Sequence, residues 1–312
     1  MAKLEDMFGA VGHSFLGLPL CRNLSRLDAD IALIGAAGCT PYPSVGFYCA
    51  GGPQAIRVAG AAYGAAIGHM NFDLGGPVLP EGATAVDAGD LPQDEADAAG
   101  NRARIFGAVS LILDKGAVPV LIGGDDSLPI PMLEAFGARG QFTILQIDAH
   151  IDWRDEVQGE RLGLSSTMRR ASEMAHIGQI IQLGQRGIGS ARARDVQDAL
   201  DWGVSLIPAG EVARAGVWRA VDLIEPGAQV IICLDLDAFD PGVMPAVIGR
   251  TAGGLTYWQV LELIGAVAEK ARIVGFAMVE LMPERDIDGQ GALLAAQVLA
   301  GVVGVLARQV GG

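Results

Sequence analysis

Residues 144–153 read ILQIDAHIDW, a mostly apolar, β-branched run that closes on Asp148, His150 and Asp152 at every second position. Four to eight such residues without a helical period predict a strand buried on both faces, the habit of parallel sheets covered by helices. Side chains two apart on an extended segment project to the same side, so the three polar groups are expected to form a claw. Carboxylate oxygens with an imidazole nitrogen suit Mn, Ni or Zn, and the lack of a thiolate argues against a structural zinc site.

The pattern returns in VIICLDLDAFDPGVMP (230–245), where Asp235 and Asp237 alternate, Leu236 faces apolar surroundings and Asp240-Pro241-Gly242 turns the chain. Burying so many carboxylates together is prohibitive without cations, so two claws predict two divalent metal ions. A third place is LIGGDDSLPIP (121–131), where an apolar run meets Gly123, Gly124, Asp125, Asp126 and Ser127. The glycines are expected to let the backbone turn sharply, and taken alone Asp-Ser reads as a helix N-cap.

Further apolar runs at 31–34, 84–86, 118–122, 142–147, 180–183, 204–207, 230–234 and 273–276 predict eight strands. Helices are expected between them at 94–115, 127–136, 190–199, 257–270 and 291–308. The order predicts a three-layer α/β/α fold with an eight-stranded, mainly parallel sheet, as one domain over 1–312 with an N-terminal arm to about residue 29. In such sheets ligands bind beyond the carboxyl ends of the strands, where all three polar clusters fall.

The chain has 312 residues, is 51% hydrophobic and carries a formal charge of −14. That allows a large core and argues against a nucleic-acid partner, which would need clustered Lys and Arg where this chain has almost no lysine. The acidity suits a small cationic substrate, and serves solubility equally well. Cys21, Cys39, Cys49 and Cys233 lack metal or redox spacing, so reduced thiols and a cytoplasmic location are expected. No signal-like start and no membrane association are expected; the apolar tail 289–310, interrupted by Gln290, Gln297 and Arg308, reads as a core or subunit-contact helix.

GGDDS, DAHID and LDLDAFDP, in that order, resemble the signatures GGDHS, DAHxD and SxDxDxxDP of the ureohydrolase family (arginase, agmatinase, guanidinobutyrase), on its agmatinase-like branch. FLGLP (15–19), GGPQAIR (51–57), LGQRG (183–187) and VGFAMVELMPERD (274–286) extend the likeness along most of the chain. The resemblance implies an arginase-like fold and a bridging hydroxide between two ions, Mn first, that attacks a guanidinium carbon and releases urea. It implies that Asp148 and Asp235 bridge both metals, that Asp152 completes one site, and that His150 and Asp237 complete the other. Asp126 takes the first motif's ligand position, and Glu280 matches the acid that pairs with the guanidinium. Asp152 and Glu280 are thus the expected catalytic residues, with Trp153, Ser165, Ser166 and Glu280 facing substrate; Trp153 could stack on a planar cation. Arg154, Asp155 and Glu156 are expected at the same mouth. A homo-oligomer, trimer or hexamer, is implied as well.

Two departures stand out. Asp126 occupies a histidine position, so five aspartates face two divalent ions, a formal −1 that should make bound water less acidic and shift metal preference. The segment GLSSTMRRASEM (163–174) lacks the family's loop histidine, and none of His13, His69 or His176 replaces it. The leading expectation is an agmatinase-like amidinohydrolase. The departures motivate two others: an impaired or regulatory subunit pairing with an active paralogue, and a formimino C–N hydrolase.

Overall fold

A computed structural model describes residues 14–189 and 191–310. Eight strands form one sheet: β1 Ile31–Ala36, β2 Ala85–Asp90, β3 Val118–Gly123, β4 Phe142–Ile147, β5 Ile177–Leu183, β6 Ser205–Ile207, β7 Gln229–Asp235 and β8 Arg272–Val279. Their order is β2-β1-β3-β8-β7-β4-β5-β6, and every neighbouring pair is parallel. All eight apolar runs become strands, and the unbroken burial of β1, β3 and β4 explains why their sequences do not alternate.

Among the described residues nine α-helices cover the faces: α1 Gly52–Ala61, α2 Ala98–Asp114, α3 Pro129–Glu134, α4 Thr167–Ala171, α5 Ala193–Trp202, α6 Ala209–Ala215, α7 Trp218–Leu223, α8 Tyr257–Lys270 and α9 Gln290–Val310. Apolar residues of α1, α6, α7, α8 and α9 pack on one side of the sheet with Leu33, Ile122 and Ile232. Those of α2, α3, α4 and α5 pack on the other with Ile34, Leu121 and Ile144. The three-layer α/β/α expectation therefore holds. Helix α9 is long and apolar enough to cross a membrane, but here it is largely buried against α1 and α8. The described part of the expected N-terminal arm is packed too: Phe15 is buried, and its N–H donates to Asp87 at 2.8 Å.

The chain bends at Gly124 as expected, although neither Gly123 nor Gly124 has a positive φ. Gly124 is required by close approach instead, because a Cβ there would lie 2.0 Å from the Ala37 carbonyl oxygen. Nor does Asp-Ser cap α3, whose N-cap is Leu128 and which begins at Pro129. Asp125 ties loops together: it accepts the N–H of Cys39 at 3.0 Å and that of Ser127 at 3.1 Å. Ser127 Oγ accepts the Thr40 N–H at 2.7 Å.

Candidate metal centre

The chain crosses from β3 to β4 over two intervening strands, β8 and β7, so the sheet order is broken at its middle. Crevices form at such points beyond the carboxyl ends of the strands. Register places the ends side by side: Ile147 pairs with Leu234, Asp235 with Val279 and Ile122 with Met278. Asp148, Asp235, Glu280 and Asp126 follow from these four neighbouring strands.

The claws are not simple continuations of the strands. β4 stops at Ile147, and β7 passes at Asp235 into a single 3-10 turn, Leu236–Ala238. Each leading aspartate instead accepts the backbone N–H two residues on: His150 to Asp148 Oδ1 at 2.6 Å, and Asp237 to Asp235 Oδ1 at 2.7 Å. This turn, favoured by a short carboxylate side chain, folds the second ligand back toward the first. Asp152 completes its claw only by adopting φ +44°, and Glu280 has φ +72°. Non-glycine residues in this left-handed region carry strain of about 1–3 kcal/mol, which concentrates at functional sites.

Two ligand groups result. Atoms of Asp148, His150 and Asp237 all lie within 4.8 Å of one another, as do those of Asp126, Asp148 and Asp152. Asp148 belongs to both. His150 Nδ1 lies 3.0 Å from Asp237 Oδ2 and 3.3 Å from Asp148 Oδ1. Asp235 belongs to neither group but lines the same cavity, as do Tyr48, Ser165 and Glu280.

The electrostatics describe a site short of positive charge. Burial and then neighbouring carboxylates push Asp126, Asp152 and Asp235 well above the usual carboxylate range, and Asp237 upward as well. Burial raises Glu280 to about 8. Burial would raise Asp148 also, but the hydrogen bond and charge of His150 bring it below normal. Burial alone would lower His150, whereas Asp148 and Asp237 hold it up at about 12. Asp126 Oδ2 is buried without a hydrogen-bond partner among the described residues. An oxygen-rich donor set with one imidazole, an orphaned buried carboxylate oxygen and one shared aspartate fits two hard or borderline divalent ions.

Sequence reasoning missed the residues that hold these ligands. Gln146 is buried in β4, and its Nε2 donates to Asp148 Oδ2 at 2.7 Å and to Asp152 Oδ2 at 2.6 Å. Gln182, its register partner on β5, donates from Nε2 to the side-chain oxygen Oε1 of Gln146 and to Ile151 O at 2.8 Å. Two glutamines inside strands buried on both faces were the available signal. Arg186, in LGQRG, clamps the turn after β7 by donating to Asp237 O at 2.7 Å and Phe239 O at 2.9 Å. Tyr48 donates to Glu280 Oε1 at 2.5 Å.

The expected substrate-facing residues divide. Ser165 lines the cavity. Ser166 is fully buried, with its hydroxyl unpaired among the described residues. Trp153 is only 2% exposed and packs edge-on against Trp202, with ring centroids 6.3 Å apart. It forms cavity wall rather than the open stacking face expected of it, because the apolar layer under α5 takes up the ring. Arg154 lines the cavity, whereas Asp155 and Glu156 line a neighbouring surface hollow. Arg285 donates to Ile248 O rather than pairing with Glu280. His176 bonds Leu133 O at 2.9 Å and serves the core, His69 lines a different cavity, and His13 lies outside the described residues.

A parallel α/β sheet with two overlapping carboxylate groups at its broken middle defines an α/β protein whose site could hold divalent metal. The arginase family profile matches residues 29–304, and the chain belongs to that family, on its agmatinase-like branch. It is 34% identical over 193 residues to the N(1)-aminopropylagmatine ureohydrolase of Thermus thermophilus, covering 62% of this chain and 64% of that protein, just under two thirds of its length. It is 28% identical over 305 residues to the mitochondrial agmatinase of Gallus gallus, covering 94% of this chain and 85% of the relative. The solved proclavaminate amidino hydrolase of Streptomyces clavuligerus superposes with a TM-score of 0.78 at 27% identity, covering 95% and 97% of the two chains.

Proposed function

We propose that the chain is a ureohydrolase. Water adds to the trigonal carbon of a linear guanidino compound of about the size of agmatine, one C–N bond breaks, and urea and an amine leave. The observation that carries this reading is Asp148, shared by two ligand groups whose other members line the cavity that Glu280 also lines. The relatives, a ureohydrolase and an agmatinase by name, support the substrate class.

Two divalent ions between these carboxylates, Mn first among candidates, would supply a water of lowered pKa and a positive field at the reacting carbon. Asp126, Asp148, Asp152, Asp235, Asp237 and His150 would hold them. Glu280 has no Lys or Arg partner among the described ion pairs, so a guanidinium is the cation its buried carboxylate lacks. Tyr48 and the Asp126 N–H fix Oε1 of Glu280, which sets the direction its carboxylate faces. With the substrate carbon held beside the water site, much of the barrier becomes a matter of orientation.

The test is urea release by purified protein loaded with Mn or Ni, across agmatine, 4-guanidinobutyrate, arginine and guanidine. Urea from any of these supports the reading. Silence across the panel with both metal sites filled counts against it. Formamide from a formimino substrate would favour that chemistry, and a metal-free chain co-purifying with an active ureohydrolase would favour a non-catalytic subunit.

A further inference from the structure

Apart from the metal-facing groups and Glu280, the cavity is lined by two charged side chains, Arg154 and Asp195. They form an ion pair, Arg154 Nη1 to Asp195 Oδ2 at 2.9 Å, and they are not equally committed to it. Asp195 is buried and already engaged by a second arginine. Its Oδ2 accepts the N–H of Arg192 at 3.1 Å and Arg192 Nε at 3.0 Å, and its Oδ1 accepts Arg192 Nη2 at 3.2 Å. The first of these bonds ties Asp195, in the first turn of α5, back to the backbone of the N-cap residue, and the other two are a side-chain ion pair. Arg154 makes no side-chain hydrogen bond beyond that pair among the described residues, and at 24% side-chain exposure its other N–H groups stay open.

The rest of the lining offers little to a charged group. Leu164, Ile151, Ile248, Gly189 and Gly249 bring no polar side-chain atoms, Ser165 brings one hydroxyl, the Tyr48 hydroxyl is given to Glu280, and Trp153 brings one uncharged N–H donor. Among the described residues, the one carboxylate of this lining apart from the metal-facing groups and Glu280 is Asp195, already engaged by Arg154 and Arg192, so a tail ending in an ammonium finds little to pair with. A tail ending in a carboxylate meets a guanidinium with donors to spare, whose forked geometry suits two oxygens. In a chain of net charge −14 an anionic tail is disfavoured wherever no cation stands beside it, so one well-placed arginine has a large effect.

We infer that Arg154, held by Asp195, is a specificity-determining residue that reads a carboxylate at the end of the substrate remote from the guanidinium, so that the substrate is a guanidino acid. This rests on the ureohydrolase reading and narrows it. Asp195 acts through Arg154 as a positioning residue.

The experiment compares 4-guanidinobutyrate, agmatine and arginine on the Mn-loaded protein, as urea release and, separately, as binding by titration calorimetry. The wild-type chain is expected to favour 4-guanidinobutyrate over agmatine by about tenfold or more in kcat/KM, and over arginine, whose α-ammonium has no free acid to meet. Arg154→Ala should remove most of that preference, chiefly through KM. Arg154→Glu should turn it toward agmatine, and Arg154→Lys should restore part of it. Arg192 keeps Asp195 partnered in every variant. An unchanged preference in Arg154→Ala and Arg154→Glu, or a wild-type preference for agmatine, overturns the assignment. If no compound yields urea, the ureohydrolase reading fails, and the calorimetric preference still decides the role of Arg154 by the same criteria.

Discussion

The peptide N–H of Asp126 donates to Oε1 of Glu280 at 2.9 Å, and the N–H of Glu280 in turn donates to the carbonyl of Gly124 at 2.8 Å. This reciprocal pair locks the end of β3 to the end of β8, so the residue that departs from the family's histidine and the acid proposed to hold the guanidinium share one rigid corner. Glu280→Gln keeps an oxygen for both the Asp126 N–H and the Tyr48 hydroxyl while removing the charge. It should leave metal content and fold intact and lower kcat/KM on guanidino substrates by about a hundredfold, the scale of losing a buried charge-assisted contact. Urea assays beside elemental analysis check both halves; an unaltered kcat/KM would remove Glu280 from substrate binding.

Asp126→His replaces an anionic ligand by a neutral one. With less negative charge around the ions, the bound water should ionise more readily, so the acidic limb of the pH–rate profile should move to lower pH. Metal content should stay at its wild-type value. A profile that stays put would show that the extra carboxylate does not tune the site.

Gln146→Leu deletes the single amide nitrogen that holds both Asp148 and Asp152. Residues behind metal ligands contribute about ten- to a hundredfold in affinity, and a loss of that size in competitive metal titration is expected here. A variant that keeps wild-type metal affinity would reduce Gln146 to a packing residue.

Metal removal should make stability depend on pH in a definite direction. The raised acids Asp126, Asp152 and Asp235, and Glu280 at about 8, keep their protons longer folded than unfolded. The unfolded chain ionises first, near pH 4, so the metal-free fold loses stability as pH rises from about 4 toward 8. His150, held up at about 12, adds to the loss as pH rises past its unfolded value of about 6.5. Asp148, lowered, favours the fold at every pH above about 4 and does not alter the trend there. Bound metal reverses the preference, since it requires ionised ligands. Each proton displaced adds about 1.4 kcal/mol per pH unit to the metal's stabilisation. Melting curves of metal-free and loaded protein at pH 5 and 8 should diverge; a constant gap would contradict the electrostatic account.

The sheet and both claws were legible because each rests on a local signal: an apolar run a strand long, then carboxylates at every second position. The assignment of ligands to two sites came from the family resemblance rather than from a local signal, and turns closed by Asp148 and Asp235, rather than extended backbone, bring His150 and Asp237 into place. What stayed hidden depends on distant contacts. Tyr48 reaches Glu280 across 232 positions, and no periodicity marks it. Arg154 and Asp195 meet only because the loop after β4 lies against the start of α5. Trp153, beside a ligand in sequence, points into the apolar layer, which its position alone could not show. Helices α6 and α7, of seven and six residues, are too short for an amphipathic period to stand out.

A binuclear centre built on a shared Asp148 is tested most directly by elemental analysis of the purified chain after loading with Mn and removal of free ions. About two ions per chain are expected. A chain that retains none, with its fold intact, would contradict it.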